Sequence, residues 1–134
     1  MKSYNKALLI GNAGKDPELR YTQSGTPVST FSLATNEAWK NDKGELQKRT
    51  EWHNIVAWGK SAEDMQRFVK KGSPLHIEGR IQTRSWEDKA TGVKKYITEI
   101  IVASWILLEK MPQDAAAPVQ QAEEPAGEQS DLPF

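Results

Sequence analysis

The sequence has no cysteine, only two histidines and no long apolar run. Without cysteine there is no disulfide framework, no thiolate metal site and no thiol nucleophile, which suits a reducing compartment. No segment approaches the roughly 20 apolar residues of a membrane-spanning helix, and the N-terminal apolar run is too short for a signal peptide. We therefore predict a cytoplasmic protein with no membrane segment.

Residues that would carry catalysis or bind a metal are also sparse. His53 and His76 are far apart, and neither stands in an HxH or HxxxH spacing or beside clustered carboxylates. Glu51, Glu78 and Glu99 fall in different predicted strands and are interpreted as ordinary surface charges. No serine is placed beside a base. We predict a protein that is not an enzyme and that needs neither metal nor cofactor.

The net charge of zero conceals an uneven distribution along the chain. Residues 1–110 contain all 18 lysines and arginines against 13 acids, whereas residues 111–134 contain five acids and no base. A basic segment followed by an acidic one suggests a polyanionic partner for the first and a separate role for the second.

Alternating polar and apolar residues predict five β-strands. The first, KALLIGN, is a short apolar run and is expected to be buried on both faces. The last ends in a similar run. The strands are predicted at residues 6–12, 27–36, 50–59, 74–86 and 96–103.

One short helix is predicted between the third and fourth strands. Ser61 and Asp64 form a start that resembles a capping box, and Gly72 ends the helix. Its apolar face consists of Met65, Phe68 and Val69. An all-β chain of five strands with one helix in this position has the element order of an OB-fold barrel, whose outer face binds oligonucleotides or oligosaccharides.

Residues 111–134 differ in composition from the rest of the chain. Proline, glutamine, alanine and glutamate dominate, and too few apolar residues are present to offset the entropy lost on ordering. The sequence thus predicts an OB-fold domain over residues 1–110 and a disordered acidic tail over residues 111–134. The tail ends in DLPF, and its terminal aromatic ring and carboxylate are suited to capture by a partner protein.

Tryptophans and arginines share the predicted outer face of two strands. Trp52 and Trp58 lie opposite the apolar side of the third strand, because side chains alternate with a period of two. Trp86 lies on the non-core side of the fourth strand together with Arg80 and Arg84. Such aromatics stack on any base, since every base has a π-face, and the arginines neutralise phosphates.

The other two tryptophans are less clear. Strict alternation places Trp39 in phase with Phe31 and Leu33, on the core side, so that only a bulge or bend near residues 36–38 would turn it outward. Trp105 follows the last strand among apolar residues and is expected to pack.

Further basic residues are candidates for contacts with phosphate. They are Lys6, Lys40, Lys43, Lys48, Arg49, Lys60, Lys70 and Lys94.

Five motifs together closely resemble the bacterial single-stranded DNA-binding protein family. They are LLIGNAGKDPELRY, FSLATNEAW, TEWHNIVAWG, KKGSPLHIEGRIQTRSW and the terminal DLPF, so that the resemblance runs from about Asn5 to Ile101 and returns at the last four residues. The family usually stacks DNA on Trp, Trp, Phe and Trp. The resemblance places these four family positions at Trp39, Trp52, Trp58 and Trp86, so that the third is a tryptophan where phenylalanine is common.

The resemblance also implies partners. It implies a homotetramer around which single-stranded DNA wraps, and a tail tip that docks on replication, recombination and repair proteins. The family tip is a run of aspartates before Ile-Pro-Phe. Here it is Asp131, Leu132, Pro133 and Phe134, with one aspartate and leucine for isoleucine.

Other OB-fold proteins remain as alternatives. An oligosaccharide-binding module would use the same tryptophans, but it would depend little on salt and has no need of the arginines near Trp86. A nuclease would need a carboxylate cluster for metal. A primosomal accessory protein is closer, although such proteins lack the acidic tail.

Overall fold

A computed structural model describes residues 1–109, which form six strands and one helix around a single core. The predicted tail and its tip lie outside the described residues. The one helix between residues 1 and 109 has nine residues, too few to cross a membrane. The elements are β1 (Ala7–Ala13), β2 (Glu18–Tyr21), β3 (Pro27–Lys40), β4 (Leu46–Trp58), α1 (Lys60–Phe68), β5 (Pro74–Glu87) and β6 (Lys94–Leu107).

Five of the strands close into a barrel. The sheet runs in the order β1-β5-β6-β4-β3, and β1 also pairs with β3, which completes the ring. The short β2 is an additional strand on β3. The barrel and the helix between β4 and β5 confirm the predicted OB-fold. Among the strands of residues 1–109, only β4 and β6 pair in parallel, over three residues.

The core is built from the strand faces that the alternation predicts. Ile55, Leu75 and Ile77 are fully buried, together with Leu33 of β3. Side chains of this size each contribute about 1.5 to 3 kcal/mol on burial, before the entropy lost on ordering the chain is subtracted. The helix packs on β3 and β4 through buried residues that include Met65.

The helix begins differently from the predicted capping box. Gly59 is the N-cap, with φ at 66°, and no side chain caps the first turn. The Gly59 carbonyl accepts the backbone N–H groups of Ala62 and Glu63 at 3.0 and 3.2 Å. Because glycine adopts this left-handed conformation without steric penalty, the turn is set before Ser61, which lies inside the helix.

The prediction that the first strand is buried on both faces is wrong. Leu8 and Ile10 are 60% and 63% exposed, whereas Leu9 packs against the core. The strand is paired on both sides and closes the barrel, so one of its faces points inward and the other lies on the outside. Within residues 1–109 nothing covers the outer side of Leu8 and Ile10.

Two hairpins project beyond the barrel. Strands β3 and β4 each extend four residues further toward their turn than predicted, whereas at their own turn β5 and β6 end within two residues of the predicted positions. The β3–β4 arm comprises residues 36–50, and the β5–β6 arm comprises residues 82–98. Most of their side chains are exposed on both faces. The turns at the tips contain Gly44 and Gly92, each with positive φ. Because no core lies beneath the β3–β4 arm, its sequence does not show the alternation that marks a half-buried strand.

Candidate nucleic-acid interface

Three tryptophans and two arginines share the outer face of the central strands, here called the aromatic-basic face. On β4 the face carries Trp52 and Trp58, and on β5 it carries Arg80, Arg84 and Trp86. The two rows are joined through β6, since Asn54 pairs with Glu99 and Glu99 with Gln82, and paired residues of neighbouring strands lie on the same side. The fold thus gathers residues from separate segments onto one surface.

The tryptophan rings of this face are accessible to solvent, whereas the apolar side chains between them are buried. Trp52, Trp58 and Trp86 are 58%, 48% and 43% exposed. Between them, Val56 and Ile101 are buried. Exposed indoles above a packed floor offer flat surfaces to a ligand, and they need little rearrangement to do so.

Trp52 is seated on a glycine that the sequence analysis did not single out. A Cβ at Gly14 would lie 2.5 Å from Cζ3 of the Trp52 ring and 2.7 Å from Oγ of Ser32. Gly14 also donates its backbone N–H to the Ser32 carbonyl at 2.7 Å. The missing side chain at Gly14 therefore leaves room for the indole beside the chain that follows β1.

Trp39 is exposed without the bulge that alternation required. Strands β3 and β4 pair residue for residue from Val28 to Lys40 with no shift of register, and Trp39 pairs with Gln47. It lies on the side opposite Trp52, the side that becomes the core face further along the strand. Trp39 is nevertheless 46% exposed, because the β3–β4 arm extends beyond the barrel core.

Trp105 packs as expected. It is half-buried against the core and pairs with Ile77 of β5. Its position separates it from the four accessible rings.

Arg84 is held by a carboxylate rather than standing free. Its Nε donates to Oε1 of Glu99 at 3.0 Å, and its Nη2 donates to Oε2 at 3.3 Å. The guanidinium carbon lies 5.4 Å from the centre of the Trp86 ring. Glu99 is only 7% exposed, so its interpretation as an ordinary surface charge is wrong. Its position between β4 and β5 in the sheet is what buries it.

Besides Arg84, three of the predicted phosphate contacts form ion pairs. Lys6 lies 2.6 Å from Glu78, and the hydrogen bond between them raises the pKa of Lys6. The other two pairs join Arg49 to Glu37 at 2.9 Å and Lys60 to Asp64 at 3.3 Å. All three bases are substantially exposed, so that the pairs contribute little to stability.

The remaining basic residues that were predicted to contact phosphate are exposed, and they lie in different parts of the fold. Lys40 and Lys48 lie on the β3–β4 arm, on the same side as Trp52, and Lys43 lies in its turn. Lys94 begins β6, with its Nζ 5.7 Å from the centre of the Tyr96 ring. Lys70 follows α1 and does not belong to the strands that form this face.

Two further basic residues border the aromatic-basic face. Lys15 and Arg20 line a groove of about 320 Å³ together with Asn54, Arg84 and Glu99. They come from the chain between β1 and β2 and from β2 itself. No local pattern in the sequence indicates this placement, because it depends on the pairing of β2 with β3.

Comparison with known proteins identifies the family. The chain matches the single-strand binding protein family over residues 4–108. The chain belongs to this family. Among curated relatives, single-stranded DNA-binding protein 1 of Chlorobaculum tepidum is 53% identical over 107 residues, which are 80% of this chain. The alignment spans 66% of that relative, just under two thirds of its length.

Further members show the same similarity. Single-stranded DNA-binding protein 1 of Xylella fastidiosa is 47% identical over 111 residues, covering 82% of this chain and 81% of the relative. A solved structure described as Plasmodium falciparum SSB in complex with ssDNA superposes with a TM-score of 0.74 at 36% identity. It covers 81% of this chain and 98% of its own. The resemblance of the four motifs within residues 4–108 to this family is thereby confirmed.

Proposed function

We propose that this protein binds single-stranded DNA without sequence preference and catalyses no reaction on it. Proteins of the family are non-enzymatic DNA-binding proteins. The observation that carries the proposal is the exposure of Trp52, Trp58 and Trp86 beside arginines on one outer face. Trp39 adds a fourth ring on the β3–β4 arm. Each base stacked on such a ring contributes about 1 to 3 kcal/mol whatever its identity.

In this proposal, lysine and arginine side chains around these rings neutralise the phosphates of the DNA backbone. Arg80 is exposed on the face, and Arg84 presents the edge of its guanidinium that Glu99 leaves free. Lys40 and Lys48 extend the positive charge along the side of Trp52. The paired bases Lys6, Arg49 and Lys60 and the more distant Lys43, Lys70 and Lys94 are secondary contacts in this proposal.

A fluorescence titration with poly-dT tests the proposal. Stacking quenches tryptophan emission, and added salt weakens binding through counterion release, with a log-log slope of about −0.7 for each phosphate neutralised. Unchanged emission at low salt would contradict it. Binding of an oligosaccharide without salt dependence would favour a sugar-binding module, and cleavage of labelled DNA in Mg²⁺ would favour a nuclease.

We further propose that the protein assembles into a homotetramer through the outer side of β1 and its neighbours. Leu8, Ile10 and Ile106 are each more than half exposed there, and Ile10 and Ile106 flank the same β5 residue, His76. Apolar side chains grouped in this way are typical of surfaces that another subunit covers.

Light scattering tests the assembly. The substitution Ile10→Glu should reduce the molecular mass in solution, because a charge would be buried in the contact. The matched control is Val93→Glu, at an exposed apolar residue in the turn of the β5–β6 arm, which should leave the mass unchanged. An unaltered mass for Ile10→Glu would place the contact elsewhere.

For the segment 111–134 we propose recruitment of replication, recombination and repair proteins in the cytoplasm through the DLPF tip. The support is the sequence itself, an acidic segment ending in an aromatic residue. Deleting Asp131–Phe134 should abolish capture of such partners while leaving DNA affinity equal or higher, because acids that compete with DNA are reduced. A variant with the four tip residues in scrambled order keeps the composition and is the control. Loss of DNA binding would contradict the proposal.

A further inference from the structure

One buried acid lies within the aromatic-basic face. Glu99 is 7% exposed and lines the same groove as Arg20, Arg84 and Lys15. A carboxylate here opposes the binding of a polyanion, and burial of a charge is unfavourable unless it is paired and hydrogen-bonded. Its presence at this position requires a compensating effect.

The compensating contact is with Arg84. An arginine has five N–H donors in one plane, and Glu99 engages the Nε edge through both of its oxygens. The Nη1 group and the second proton of Nη2 point away from Glu99. The guanidinium carbon is 5.4 Å from the centre of the Trp86 ring. One edge of Arg84 is thus fixed, and the side chain is still 56% exposed beside the indole.

We infer that Glu99 is a positioning residue for DNA binding, which acts by holding the Arg84 guanidinium beside Trp86 before DNA arrives. This inference rests on the proposed function. The fixed guanidinium and the indole together form one preformed subsite for a nucleotide, in which the ring stacks the base and the free edge of Arg84 receives the adjacent phosphate. Ordering the side chain in advance removes an entropic penalty from the binding step.

Two acid-to-amide substitutions separate positioning from charge. Both Glu99→Gln and Glu87→Gln remove one negative charge near Trp86, but Glu87 is exposed and only Glu99 holds Arg84. Affinity for poly-dT is measured at about 0.2 M NaCl. Glu87→Gln should bind as tightly as the wild type or slightly tighter. Glu99→Gln should bind about 3-fold to 10-fold more weakly, the range expected when one long side chain has to be ordered during binding.

Glu99→Asp and Arg84→Lys complete the test. Glu99→Asp keeps the charge but withdraws the carboxylate by one methylene, so it should weaken binding as Glu99→Gln does. In the Arg84→Lys background, Glu99→Gln should produce no further loss, because the lysine ammonium lacks the planar fork of N–H groups that matches both carboxylate oxygens. The free proteins also report the geometry. With fluorotryptophan incorporated, the fluorine resonance of Trp86 should shift in both Glu99→Gln and Arg84→Lys and stay in place in Glu87→Gln.

The outcomes distinguish this inference from the proposed function. Binding by Glu99→Gln as tight as that of Glu87→Gln would reduce Glu99 to a simple charge and overturn the inference, as would an undiminished loss in the Arg84→Lys background. If wild type and Glu87→Gln both fail to bind poly-dT, the proposed function fails. The geometric part of the inference, that Glu99 holds Arg84 beside Trp86, is then still decided by the Trp86 resonance, which must respond to Glu99→Gln and Arg84→Lys.

Discussion

Replacing Trp52 and Trp105 by alanine in turn separates base stacking from packing. Trp52 is more than half exposed on the aromatic-basic face, whereas Trp105 is half-buried against the core. The two substitutions remove the same indole from opposite environments. Trp52→Ala should therefore impair DNA binding with little effect on folding, and Trp105→Ala should do the reverse.

The expected magnitudes follow from these environments. Loss of one stacked base at Trp52 removes about 1 to 3 kcal/mol, which corresponds to a fall in affinity of roughly 5-fold to 150-fold. The free energy of unfolding should change by less than about 1 kcal/mol, as for most exposed positions. Fully buried tryptophans lose about 3 to 5 kcal/mol on truncation, and the partial burial of Trp105 scales this to about 2 kcal/mol.

Two assays on each variant complete the comparison. Equilibrium binding to poly-dT is measured well below the unfolding transition, and thermal unfolding is followed by far-UV circular dichroism. For Trp105→Ala the midpoint should fall by roughly 10 °C. The reasoning is refuted if Trp52→Ala keeps an affinity within about 2-fold of wild type, or if Trp105→Ala loses affinity while remaining folded.

Three other predictions concern close contacts and charge. A Cβ at Gly79 would lie 2.1 Å from the Ile101 carbonyl oxygen, so Gly79→Ala should lower the free energy of unfolding by at least about 2 kcal/mol in urea titrations; an unchanged midpoint would contradict the contact. Gly14→Ala should push the Trp52 ring from its seat, lowering affinity for poly-dT with a smaller change in stability, and wild-type affinity would show that the ring adapts. Arg80→Gln should reduce the salt slope of binding by about 0.7, whereas Arg67→Gln, on α1, should leave it unaltered.

The parity of β4 and β5, that is, which face of the strand each side chain occupies, was predictable from sequence. In β4 the two faces follow from the alternation of apolar residues, and Ile55 and Ala57 are fully buried as that pattern requires. The same holds in β5 for Leu75 and Ile77. Parity is a local property of the extended chain, so a single sequence contains enough information to assign it.

Whether the core, a neighbouring strand or solvent lies against each face was not predictable in the same way. Trp39 has the parity of the core yet is exposed, because strand pairing carries it past the end of the barrel. Leu8 and Ile10 lie in an apolar run yet are uncovered within residues 1–109. Glu99 looked like a surface charge, and it is buried because its strand became the middle of the sheet. Each outcome depends on long-range pairing, which no local pattern encodes.

The two projecting arms give the protein regions of different rigidity. A hairpin without a core beneath it is marginally stable, so its amide protons should exchange with solvent well before those of the barrel. Trp58 lies over the barrel, whereas Trp39 lies on the β3–β4 arm with no core beneath it. In the proposed function, single-stranded DNA contacts a ring fixed on the barrel and a ring on a hairpin that adjusts to it, which suits a polymer with no single shape.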